Sequence, residues 1–135
     1  MQREEMVLVL DGIVKKAQSA ISDVDYARSY ARSVTASNYC SCAKKSMRDV
    51  EKSLTGIIRD TNHSEDEIVV ILDGSVVKVK KAMTDTDLAR ANDRSSATIS
   101  YCGYARNSMR DVESTLKVLI RVMSPTREYE KVLDM

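Results

Sequence analysis

The sequence predicts an all-α fold, an internally duplicated helical repeat of two 62-residue units with two to three helices each, closing into a bundle. Three observations carry that expectation. Aromatic residues make up 4% of the 135, Phe and Trp are absent and there is one Pro, a composition suited to helices packed through aliphatic and small side chains. Apolar residues recur at steps of three and four over long stretches. Finally, residues 1–62 lie on residues 63–124 without a gap, so that Leu10-Asp11-Gly12 meets Leu72-Asp73-Gly74, Tyr39-Cys40 meets Tyr101-Cys102, and the run Met47 to Glu51 meets an identical run, Met109 to Glu113. Units 1–62 and 63–124 are expected to form one compact domain, followed by a tail, 125–135, that has no counterpart.

Each unit opens with a segment of helical spacing, Met6, Leu10, Ile13, Ala17 and Ala20 in the first and Ile68, Leu72, Val76, Val79 and Met83 in the second. Ser64-Glu65-Asp66-Glu67 announces the second copy as a capping box. Asp73-Gly74 among β-branched residues also reads as a hairpin turn, but the matching stretch Ile13 to Ala20 is helix-like, which favours a helix in both. Ser22-Asp23-Val24-Asp25 and Thr84-Asp85-Thr86-Asp87 read as a second helix start, an N-cap hydroxyl followed by acids that suit the positive end of the helix dipole.

The most regular apolar seam comes last in each unit: Cys40, Ala43, Met47, Val50, Leu54 and Ile57, repeated as Cys102, Ala105, Met109, Val112, Leu116 and Leu119. Ser and Thr crowd the residues before it, and Asn38 and Ser100 suit an N-cap, so a break is expected near 34–38 and 96–100. Each unit is then three helices. The alternative joins the second and third into one helix about 54 Å long, which makes four helices in all. Met6 to Leu10 and Ile68 to Leu72 are apolar around the whole helix, so these starts are expected to be covered on more than one side, where two units or two chains meet.

Lys and Arg number 21 against 20 Asp and Glu, with the signs interleaved, which gives no global attraction to nucleic acid or an acidic membrane. No apolar run approaches the roughly 20 residues that a bilayer-spanning helix needs. The acidic N-terminus lacks the basic and apolar regions of a signal peptide, and the odd cysteine count suits free thiols in a reducing compartment, so a cytoplasmic location is expected. A disulfide between Cys40 and Cys102 is the alternative for that pair.

No catalytic constellation is legible, and no enzymatic activity or cofactor is expected. The one histidine, His63, lies between the units, and the four glycines are too dispersed to cradle a phosphate. Cys40, Cys42, Cys102 and His63 lack the paired spacing of structural zinc sites. Met6, Met47, Met83 and Met109 could line a small-molecule or lipid pocket, but methionines at seam spacing suit a core.

Two features exceed what packing requires. Gly12 and Gly74 sit inside helices, where Gly costs roughly 1 kcal/mol relative to Ala, which implies either a tight helix crossing, a local kink, or a partner approaching the backbone. In the repeated Met-Arg-Asp-Val-Glu run, Arg48, Asp49, Glu51, Arg110, Asp111 and Glu113 fall outside the seam. Packing alone would explain them as salt bridges to Arg28 and Arg32 or Arg90 and Arg94; a functional explanation makes them a doubled recognition surface. The function expected is a non-enzymatic interaction or structural module, self-associating as a homodimer or binding a protein partner. The alternative is nucleic-acid binding by Lys44, Lys45, Arg48 and Lys52 with Tyr39, and by Arg106 and Arg110 with Tyr101 and Tyr104. The tail residues Tyr129, Val132 and Leu133 could dock as a short helix or serve as a peptide ligand.

Overall fold

A computed structural model describes residues 1–60 and 62–124, so the expectation for Tyr129, Val132 and Leu133 lies outside the described residues. The chain forms four helices, α1 Arg3–Tyr30, α2 Val34–Arg59, α3 Glu65–Ala91 and α4 Ser96–Met123, with no strand among the described residues. The segment around Asp73-Gly74 lies inside α3, so the hairpin reading is set aside. α1 packs on α2 and α4, and α3 packs on the same two. With connections as short as 31–33, 60–64 and 92–95, neighbours run antiparallel and the fold is an up-down four-helix bundle, with α1 opposite α3 and α2 opposite α4.

The helix boundaries correct the expectation from sequence. No helix starts at Ser22 or Thr84; α1 and α3 run straight through both. The seam of α1 continues as Ala17, Ala20, Val24 and Ala27, all essentially unexposed, and that of α3 as Val79, Ala82, Thr86 and Ala89. Hydroxyls in α3 turn back onto their own helix: Ser75 donates to the Ile71 carbonyl at 3.0 Å, Thr84 to Lys80 at 3.1 Å and Thr86 to Ala82 at 2.7 Å. Bonds of that kind let Ser and Thr sit in a helix interior without starting one. The breaks fall instead at 31–33 and 92–95, and the caps are Ser33 and Ser95, which accept from Ala36 N–H at 3.2 Å and Thr98 N–H at 3.3 Å. Neither the three-helix unit nor the 54 Å helix therefore forms; the first two predicted segments fuse and the third stands alone. The capping Ser64 is found as expected, accepting from Glu67 N–H at 3.2 Å, while the Glu67 carboxylate faces His63 Nδ1 at 3.4 Å.

The core is a continuous aliphatic column. Leu10, Met47, Leu54, Ile57, Leu72, Met109, Leu116 and Leu119 are its largest fully buried side chains, and near the 31–33 and 92–95 turns it narrows to Ala27, Ala36, Cys40, Ala89, Thr98 and Cys102. Two polar devices close the ends. Arg3 Nη2 donates to the carbonyls of Ile57 and Ile58 at 3.1 and 3.2 Å, satisfying acceptors that the end of α2 leaves without an intrahelical partner. At the other end the buried carboxylate of Asp93 accepts from the backbone N–H groups of Ser95 at 2.8 Å, Arg32 at 2.9 Å and Ser33 at 3.0 Å, tying the two interhelical turns together.

Candidate interaction surface

Within the repeated run, Met47, Val50, Met109 and Val112 enter the core and the three charged types divide by role. Asp49 on α2 accepts from Lys78 on α3 at 2.8 Å, and Asp111 on α4 pairs with Lys16 on α1 at 3.4 Å. Lys16 and Lys78 are themselves 62 positions apart. The expected partners Arg28, Arg32, Arg90 and Arg94 are thus replaced by lysines on the next helix of the bundle, because those arginines lie toward the turns while the aspartates sit mid-bundle. A second pair of bridges obeys the same offset: Asp25 with Lys44 at 2.8 Å and Asp87 with Arg106 at 2.7 Å. The bond from Lys78 holds the Asp49 carboxyl below its ordinary range, with Lys45 and Lys52 adding to the effect. Glu113 is half-buried and lies 3.9 Å from Lys117 one turn on, and Glu51 is half-buried. Arg48 and Arg110 are exposed and are not in a salt bridge among the described residues.

Gly12 and Gly74 are not at a tight crossing. Both are exposed, and a Cβ built on either meets nothing within 4 Å. Beside them the apolar helix starts are only partly covered: Leu8 is 73% exposed and Val70 is 66% exposed, against the expectation that these turns would be enclosed. Gly12 helps to line a groove of about 460 Å³ between α1 and α4 with Leu8, Ile13, Lys16, Asp111 and Thr115. The offset positions on α3 and α2 are Val70, Gly74, Lys78 and Asp49, where the same ion pair forms. Two faces thus share one pattern: an exposed aliphatic side chain, a bare glycine one turn on, and a Lys–Asp bridge beyond it.

The tyrosines form a feature that sequence reading missed. Tyr101 on α4 stacks on Tyr26 and Tyr30 of α1, with ring centroids 5.1 and 6.0 Å away, and Tyr104 meets Tyr101 edge-on at 5.9 Å. The spacing of Tyr26 and Tyr30, one helical turn apart, was the available signal. Their ladder belongs to the α1/α4 face. By contrast the cations Arg28, Lys44, Lys45, Arg48 and Lys52 line a cleft between α1 and α2 that contains no tyrosine, and Arg106 is turned toward Asp87 on α3. Tyr39 thus does not line the cleft that the α2 cations share, and Arg106 is held by Asp87.

Cys40 and Cys102 are buried free thiols joined by a hydrogen bond, and Cys42 is exposed. That bond, with burial, pushes the Cys102 thiol far above the ordinary range. His63 lies beside Glu67 and Asp60 in the α2–α3 connection, apart from the cysteines of α2 and α4. The described residues contain no cluster of three or more His, Cys, Asp or Glu able to hold a metal ion, and no described helix is long and apolar enough to cross a membrane. Met6, Met47 and Met109 are buried in the core and Met83 packs against it. Comparison with protein-family models, with curated proteins and with solved structures finds no match for this chain.

Proposed function

We propose that the protein is a non-enzymatic helical interaction module that self-associates, using its two similar glycine-bearing faces for docking. The observation that carries this reading is the pair of bare glycines. Each costs helix stability that nothing within the chain recovers, since no side chain or backbone occupies the space above Gly12 or Gly74. A missing Cβ lets another helix approach the backbone closely, and the exposed Leu8 and Val70 supply apolar surface at the same place. The bundle core is complete within one chain, so these exposed groups are not required for folding.

On this reading the occupant is a second copy, whose own glycine-bearing face offers the same exposed aliphatic side chain and the same Lys–Asp pair. The repeated charges are then partly scaffold, as Asp49 and Asp111 pair with Lys78 and Lys16, and partly free of salt bridges among the described residues, as Arg48 and Arg110 are. The similarity of the units is attributed to duplication of a two-helix hairpin, with 1–62 and 63–124 folding into one domain. A cytoplasmic setting fits the free thiols.

Sedimentation velocity from micromolar to millimolar protein tests the proposal. The expected result is a concentration-dependent dimer that Gly12→Lys with Gly74→Lys abolishes while the helical circular dichroism is unchanged. A monomer at every concentration would overturn self-association. Nucleic-acid binding is the second reading, and the cation-lined cleft between α1 and α2 is what favours it. It requires affinity for an oligonucleotide that falls steeply with salt.

A further inference from the structure

We propose that the cleft between α1 and α2 binds a compact anion carrying two or more phosphates. Five cations converge there, Arg28 from α1 and Lys44, Lys45, Arg48 and Lys52 from α2, in a concavity of about 590 Å³, within the size range of small-ligand sites. The acids of the cleft are Asp49 and Glu51. Asp49 is already held by Lys78 on α3, and Lys44 by Asp25. That leaves Arg28, Lys45, Arg48 and Lys52, none of them in a salt bridge among the described residues, against Glu51 and an Asp49 whose carboxylate is already bonded to Lys78.

The fold does not require this excess. Lys45, Arg48 and Lys52 follow one another at steps of three and four on a single stripe of α2, where like charges repel. At the offset positions in α4 the same stripe reads Asn107, Arg110 and Ser114, so an equally packed helix manages with one cation. Charge has been concentrated on one of two otherwise matching faces, in a chain whose net charge is only +1. The chemistry selects phosphate over a carboxylate peptide or a nucleobase. Two guanidinium groups with forked donors and two ammonium groups suit clustered phosphate oxygens, while no tyrosine lines the cleft to stack a base. The cations of this site lie on α1 and α2, apart from the α1/α4 groove that Gly12 lines, and the assignment does not depend on that groove.

Isothermal titration calorimetry of the full chain with inorganic tripolyphosphate, in 150 mM salt, tests the assignment. Saturable binding is expected, weakened at least tenfold by Arg48→Glu and changed less than twofold by Lys80→Glu, which alters charge equally on the exposed side of α3. No saturation up to millimolar tripolyphosphate would overturn the proposal, as would equal weakening by both variants. A single-stranded oligonucleotide that binds more tightly than tripolyphosphate, with affinity rising with its length, would also overturn it, in favour of a nucleic-acid surface. Inositol trisphosphate and vesicles containing its phosphatidylinositol bisphosphate parent separate the sources. Binding to the free headgroup alone assigns a soluble ligand, and vesicle binding competed by the headgroup assigns a lipid; both outcomes uphold the phosphate chemistry.

Discussion

Asp93 shows what one side chain contributes when the two units differ. Its counterpart is Ala31, so a single carboxylate serves both turns. Bonds from the backbone of Ser95, Ser33 and Arg32 hold its pKa below the ordinary carboxyl value. A lowered folded value means that its stabilisation is complete above the unfolded value of about 3.9 and is lost as pH falls through the folded value. Asp93→Asn removes the charge but keeps one acceptor, and is expected to cost about 1–2 kcal/mol at pH 7. Urea unfolding should show the gap from the parent protein closing in acid. Gly12 works in the opposite direction. With no atom within 4 Å of an added Cβ and no glycine at positive φ, Gly12→Ala is expected to raise stability by about 0.5–1 kcal/mol. In thermal unfolding it should melt higher, and in sedimentation it should dimerise less strongly.

Helix boundaries turn on competition between local signals that look alike in sequence. Ser22-Asp23 and Ser33 both place a hydroxyl before a helix-forming stretch, yet only Ser33 caps. The deciding factor is the seam, which passes without a slip through Val24 and Ala27 and so keeps α1 on the core across the false start. At 31–33 the chain must reverse, and there the cap is needed. Ser33→Ala and Ser95→Ala are each expected to cost about 1 kcal/mol, whereas Ser22→Ala should be near neutral because Ser22 is exposed in mid-helix. Chemical denaturation of these variants distinguishes the two roles directly. The seam of α2 and α4 was legible in full, since all its predicted members from Cys40 to Ile57 and from Cys102 to Leu119 are buried. That of α3 was legible only in part, because buried Ser75 and Thr86 interrupt its apolar pattern and are satisfied by carbonyls of their own helix.

For the whole molecule, stability resides in the aliphatic column rather than in the surface ion pairs, which are exposed and individually weak. Leu54→Ala and Leu116→Ala occupy matching positions and are each expected to cost about 2–5 kcal/mol, measured by urea denaturation. The cross-helix ion pairs act on arrangement instead. Asp25–Lys44 and Asp87–Arg106 join helices within each hairpin, while Lys16–Asp111 and Lys78–Asp49 join one hairpin to the other. The repeated aspartates could be singled out from sequence as outward and unexplained, but their partners could not, because lysines 95 residues earlier or 29 later become neighbours only when four helices close into a ring. For the same reason the tyrosine ladder was only half legible, since the spacing of Tyr26 and Tyr30 showed a shared face of α1 but not that Tyr101 of α4 lies against it.

By itself the sequence determined that the chain is helical and which residues form the α2 and α4 seams, and it singled out the repeated outward charges and the mid-helix glycines. Those properties follow from composition, periodicity and local cost, which are read within a few turns. Where α1 and α3 end, what pairs with each charge, and which faces remain uncovered were decided only by tertiary structure. A cap, a bridge or a groove depends on which helix lies alongside, and that is settled by burying all four seams at once.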